Sequence, residues 1–127
     1  MAKVKTEISK AVGPNRKFEE SDIENLPYMQ AVMKESLRLH PPLPFLIPRE
    51  TIQDTKFMGY DVPKGTQVLV NAWVIGRDPM SFKPDRFLGS KLDVHYELIP
   101  FGAGRRMCVG LPLGHRMMHF SLGSLLH

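Results

Sequence analysis

From Gly76 to Gly110 the chain shows no sustained helical spacing. Prolines at 79, 84 and 100 and glycines at 89, 102 and 104 interrupt each run that could develop one. A coil of that length inside a compact domain has to wrap something, because structureless connections beyond about 12 to 15 residues are uncommon and usually functional. At its end stands the only cysteine, within Phe101-Gly102-Ala103-Gly104-Arg105-Arg106-Met107-Cys108-Val109-Gly110. Gly102, Gly104 and Gly110 permit backbone conformations and close approaches that a Cβ would block. With one cysteine there is no internal disulfide and no redox pair.

Regular structure is expected on both sides of this coil. Val4, Ile8, Ala11 and Val12 recur at helical spacing before the stop Gly13-Pro14. Ser21 and Glu24 have the spacing of a capping box for a short helical turn. Pro27 suits the first position of a longer helix that runs to about His40, where Pro41-Pro42 ends it. Phe45 to Glu50, Thr55 to Met58 and Thr66 to Trp73 read as short strands, with turns at Gly59 and Pro63-Lys64-Gly65. After Cys108, Leu111, Met118 and Leu122, with Leu113, Met117 and Leu125 alongside, mark a final helix, its methionines assigned to the core. The expectation is a mainly α fold with a small β region, an α+β arrangement in one unit spanning residues 1–127.

A cysteine that ligates iron as thiolate must be deprotonated, shielded from water and approached closely by the porphyrin plane. A glycine-framed loop followed by a helix start supplies those conditions: Phe101 can roof the sulfur, and the helix brings its positive end near it. Arg106 adds a cation suited to a propionate. Taken without its neighbours, a single cysteine is a small buried hydrophobe. With them, the spacing Phe-x-x-Gly-x-Arg-x-Cys-x-Gly resembles the haem-binding signature of the cytochrome P450 superfamily. A dinucleotide loop is excluded, because its third glycine would fall at Met107.

Three further stretches carry the same resemblance. Glu35 and Arg38 share a helix face, and by themselves read as a solvated ion pair worth about 0.2 to 0.5 kcal/mol. However, Lys34-Glu35-Ser36-Leu37-Arg38-Leu39-His40-Pro41-Pro42 is similar to the Glu-x-x-Arg helix of the superfamily, and Phe82-Lys83-Pro84-Asp85-Arg86-Phe87 to its Pro-x-Arg-Phe segment. The resemblance implies a structural network of Glu35, Arg38 and Arg86 that pins the coil to the helix. By position, Arg49 looks like the family arginine that meets a haem propionate. Leu43, Phe45, Leu46 and Ile47 look like the segment that passes over the haem and touches substrate.

The implied cofactor is haem b (iron protoporphyrin IX), ligated by Cys108 and contacted by Arg49, Phe101, Gly102, Gly104, Arg106 and Gly110. The implied activity is a haem-thiolate monooxygenase that inserts one oxygen atom from O2 into a small apolar substrate. Electrons would come from NADPH through NADPH-cytochrome P450 reductase, which Arg105, His115 and Arg116 could meet. The wording of Asn71 to Pro79 and of Phe87 to Val94 looks plant-like and is similar to the geraniol-hydroxylase group, which suggests a terpenoid in plant secondary metabolism.

The chain resembles only the C-terminal, haem-proximal portion of full members. The N-terminal membrane anchor and the central oxygen-activating helix have no counterpart in it, so the endoplasmic reticulum location, on the cytosolic face, is implied by the family alone. The stretch between Asp78 and Phe82 is shorter than the family pattern, the region around His95 is trimmed, and Val109 stands where many plant members have proline. Two alternatives therefore stay open: a non-catalytic haem-binding or decoy fragment, and a basic interaction domain without haem. Seventeen basic against 13 acidic residues give a net charge of +4. The tight basic clusters, Arg16-Lys17 and Arg105-Arg106, lack the aromatic interleaving of a nucleic-acid groove, so no nucleic acid partner is expected. No metal spacing is evident among His40, His95, His115, His119 and His127, since Arg116 replaces the Glu of a His-Glu-x-x-His motif; a surface or haem-proximal role is expected for them.

Overall fold

The apolar stripe of the first helix finds its partner in the second. The computed structural model describes residues 1–76, 81–89 and 98–127. Helix α1 spans Ala2–Val12 and ends at Gly13, whose φ of 73° a side chain would resist. It buries Val4, Ile8 and Val12 against Phe18, Leu26 and Met29, with Ile23, Tyr28, Val32, Leu122 and Leu126 packed around them. Helix α2 spans Pro27–Leu39, with proline in its first turn. Its free N–H groups are satisfied from outside the helix: the Glu7 carboxylate of α1 accepts from Tyr28 N and Met29 N, both at 2.8 Å. A carboxylate at that end also opposes the positive pole of the helix.

The turn before α2 is a 3-10 helix, Glu20–Asn25, and its cap differs from the expected one. Asp22, not Ser21 or Glu24, does the work. Its Oδ2 accepts the Glu19 N–H at 2.8 Å, and both of its oxygens accept from Arg16 at 2.8 and 2.6 Å. The Arg16 hydrogen bond, then the Glu19 N–H and the Arg16 charge, hold the Asp22 carboxyl at about 2, against the opposing effect of burial.

The β region is smaller than its sequence suggests. Strand β1 is Arg49–Glu50 and pairs antiparallel with β4, Gln67–Val68, in the register Arg49↔Val68. Strands β2, Thr55–Phe57, and β3, Tyr60–Val62, form a hairpin closed by Met58 and Gly59, both at positive φ (50° and 87°). That two-residue turn matches the twist of the flanking strands. Residues 45–48 are not strand, because Pro44 and Pro48 withhold ladder donors and Leu46 takes a φ of 52°. The expected strand through Trp73 also stops early. Ala72–Ile75 forms a short helix, α3, capped by the Asn71 side chain, which accepts from Val74 N at 3.1 Å.

Helix α4, Leu111–Leu126, follows the cysteine loop. Of the expected face, Leu122 packs against the core and Leu111 and Met118 are half-buried, but the fully buried positions are His119 and Gly123, and Met117 stays exposed. The reason is steric: Phe18 lies so close to Gly123 that a Cβ there would fall on the Phe18 ring. The ring of Phe120 also meets Phe18, at 5.9 Å between centroids. Arg77, Asp78, Pro79, Lys91 to Val94 and His95, with the expected shortening between Asp78 and Phe82, lie wholly or partly outside the described residues.

Candidate functional site

Two constructions meet in this chain: a buried ionic cluster on α2, and the cysteine loop at the foot of α4. The cluster is centred on Glu35, which has no exposed surface, with Arg38 at 6%. Arg38 grips both carboxylate oxygens, Nε to Oε2 at 2.7 Å and Nη2 to Oε1 at 2.8 Å. The Lys83 N–H donates to Oε1 at 2.7 Å and Arg86 Nε to the same oxygen at 3.2 Å. Burial pushes the Glu35 carboxyl up, but the Arg38 and Lys83 hydrogen bonds and the two guanidinium charges offset it, leaving the group below its ordinary value. This is not the solvated helix pair that residues 35 and 38 suggest in isolation. Lys83 precedes the 3-10 turn Pro84–Phe87, which packs along α2.

The remaining donors of Arg38 hold main chain. Nη1 donates to Gly76 O at 2.5 Å and Nη2 to Ser81 O at 3.2 Å. Sequence inspection did not single out Gly76. A Cβ on it would come within 2.8 Å of Arg38 O, so α3 can close on α2 only with glycine there.

In the cysteine loop, Gly102 and Gly104 take φ values of 76° and 69°. Gly104–Arg106 makes one 3-10 turn, and Cys108 N donates back to Phe101 O at 3.0 Å, closing the loop. Leu111 N to Cys108 O at 3.3 Å then starts α4. The Cys108 thiol is free and exposed. Gly110 lies beside it, and a Cβ there would sit 3.7 Å from Sγ. Arg49 reaches the same loop from β1: its Nη2 would be 3.9 Å from a Cβ at Gly102. Thus Arg49, Phe101, Gly102, Cys108 and Gly110 share one neighbourhood, and Arg106 is exposed on the loop. Leu43, Phe45 and Ile47 are exposed at 50%, 52% and 73%, and Leu46 is half-buried.

His40 and His127 are exposed, whereas His119 is buried and its Nδ1 donates to His115 O at 2.6 Å; His95 lies outside the described residues. His115 is half-buried, with its ring edge-on to Phe101 at 5.6 Å. Burial, then the charges of His119 and Lys34, lower its pKa and so disfavour its protonated form. Arg116 pairs with Glu20 at 3.2 Å. Of the three basic residues expected to face a reductase, Arg105 and Arg116 are exposed, and Arg105 makes no ion pair among the described residues. Those residues bring no group of three His, Cys, Asp or Glu side chains together for a metal ion. None of the described helices is long and apolar enough to cross a membrane.

The structure thus combines an exposed thiol on a glycine-framed loop, an arginine that reaches that loop and a buried ion cluster that holds residues 81–87 on α2. The cytochrome P450 family model matches residues 1–127, and the chain belongs to that family. Cytochrome P450 76A2 of Solanum melongena is 85% identical over 135 residues, covering 99% of this chain and 27% of the relative. Geraniol 8-hydroxylase of Catharanthus roseus is 54% identical, with 28% of that protein covered. Among solved structures, a zebra fish cytochrome P450 with abiraterone superposes at a TM-score of 0.86 and 40% identity, over 98% of this chain and 30% of that one. The chain therefore spans between a quarter and a third of the lengths of these proteins. The alignment to 76A2 is longer than the chain's 127 residues, so the relative carries residues that are missing from this chain.

Proposed function

We propose that the chain is the C-terminal, haem-proximal part of a plant haem-thiolate monooxygenase acting on a terpenoid. The carrying observation is the convergence on Cys108: an exposed thiol flanked by glycines whose missing side chains leave its approaches open, with Arg49 reaching the same loop. This donor set fits haem. A flat, dianionic macrocycle needs a soft anionic ligand, small neighbours and cations for its propionates. Cys108 would hold the iron as thiolate, Arg49 and Arg106 would meet the propionates, and Phe101, Gly102, Gly104 and Gly110 would line the sulfur side. When bound, the group supplies reductive oxygen chemistry, in which one atom of O2 enters a substrate C–H bond and the other leaves as water.

The chain's own residues do the positioning. Glu35, Arg38 and Arg86 fix residues 81–87 on α2 and so steady the coil that leads to the cysteine. Leu43, Phe45, Leu46 and Ile47 offer an apolar wall to substrate, and the exposure of Leu43, Phe45 and Ile47 supports a role against a partner surface. Exposed Leu113, Met117 and Leu125 on α4 support the same reading, that further protein covers these faces in a complete enzyme. The printed names of relatives, geraniol 8-hydroxylase, iridoid oxidase and ferruginol synthase, favour a terpenoid. Electrons would come from NADPH-cytochrome P450 reductase, and the complete protein would sit at the cytosolic face of the endoplasmic reticulum.

The test is spectroscopic. Haem-loaded chain, reduced under carbon monoxide, gives the red-shifted band of thiolate ligation, and Cys108→Ala abolishes it. An unchanged spectrum in the variant removes Cys108 as the ligand.

A further inference from the structure

The contact between α4 and the cysteine loop reaches beyond the ligand itself. The Phe101 ring lies over the first turns of α4: a Cβ at Gly114 would meet its Cε1 and Cζ at 3.9 Å, and the His115 ring stands edge-on to it at 5.6 Å and 69°. The backbone of the same residue, Phe101 O, accepts the Cys108 N–H at 3.0 Å. Ring and carbonyl belong to one short, tight turn, so the seat of the ring decides where the carbonyl stands. His115 is itself held, since its carbonyl accepts the His119 Nδ1 proton at 2.6 Å.

We propose that His115 is a positioning residue for the cysteine loop, seating Phe101 so that its carbonyl fixes the Cys108 main chain and thereby the direction of the sulfur. The contact between His115 and Phe101 is a matter of packing and stands without haem; its consequence for iron chemistry rests on the haem-thiolate reading above. A neutral imidazole can make this edge-to-face contact without bringing to it the water that a charged, half-buried ring would draw. His115 meets that condition: the charged and titratable groups that act on it are His119 on its own helix and Lys34 on α2, both of which disfavour its protonation, as does burial. Acidification charges the imidazole, draws water to it and loosens the seat.

The experiment is hydrogen exchange and proton NMR on the full 127-residue chain, which needs no haem. In His115→Ala the Cys108 amide exchanges about tenfold faster, the loss of one aromatic pair, while the Ile8 amide in the core is unchanged. His115→Phe restores the slow exchange, which a purely polar role for the imidazole would not allow. In wild type the Phe101 ring resonances move with pH at a midpoint below the ordinary histidine value, and in His115→Phe they do not. Equal Cys108 exchange in wild type and His115→Ala, or Phe101 resonances that ignore pH in wild type, overturns the proposal. If the alanine variant fails to fold, the wild-type titration and the phenylalanine variant still decide. Failure of the carbon-monoxide band with normal exchange results would strike the haem reading and leave this one standing.

Discussion

Replacing Arg38 by alanine removes far more than one ion pair. Glu35 would keep its full burial and lose two charge-assisted bonds, retaining the Lys83 N–H and the longer Arg86 contact, while Gly76 O and Ser81 O would lose donors. Breaking one side of a buried pair costs about 3 to 5 kcal/mol, because the remaining charge is stranded. Arg86→Ala is a milder change. Its side chain is 21% exposed, its bonds to Glu35 and to Ser81 O are both 3.2 Å, and Arg38 continues to neutralise the carboxylate. A single hydrogen bond to a charged group contributes about 1.5 to 3 kcal/mol, and partial solvation puts the expected loss near 1 to 2 kcal/mol. Arg38→Lys should rescue little, since a point charge cannot hold the two Glu35 oxygens and the Gly76 carbonyl at once. Urea unfolding followed by circular dichroism measures the difference. If Arg86→Ala is as destabilising as Arg38→Ala, or both lie within about 0.5 kcal/mol of wild type, the hierarchy argued from burial and bond lengths is wrong.

Gly123→Ala should destabilise by about 1 to 3 kcal/mol despite the better helix propensity of alanine, because the new methyl meets a buried Phe18; a higher melting temperature would contradict this. For Asp22 the folded pKa of about 2 lies below the ordinary 3.8, so its stabilisation is complete above 3.8 and is lost as pH falls through about 2. With Arg16 45% exposed, the loss is about 1 to 2 kcal/mol, and the stability of Asp22→Asn should converge with wild type at the acid end; parallel curves from pH 5 to about 2 would refute it. The 127-residue polypeptide, expressed by itself with haem and reductase, should oxidise geraniol at least about a hundredfold more slowly than a full-length relative, since proton delivery alone is worth about 10² to 10⁴. Comparable turnover that depends on Cys108 would refute that expectation.

Much of the local structure was legible because its causes are local. Gly13 at positive φ and Pro27 at a helix start act within a few residues. Helix α3 was missed although its cap was in plain sight: Trp73, Val74 and Ile75 favour strands, and Asn71 outweighs them by accepting from Val74 N. The capping box was misplaced because Ser21 has the right spacing, whereas Asp22 is chosen by Arg16, six residues upstream. No periodicity on α4 announces that His119 and Gly123 are its buried positions; that follows from Phe18, which is far away in sequence. The cysteine loop shows the same division. Its glycines are readable as glycines, but the approach of Arg49 to Gly102 and of His115 to Phe101 exists only once the chain has folded.

Arg38 donates to the carbonyls of Gly76 and Ser81, the two described residues that flank positions 77–80. Both ends of that short stretch are thereby nailed to the same guanidinium. One guanidinium therefore sets both where α3 ends and where residues 81–87 begin on α2, so any change that shifts Arg38 shifts the two segments together.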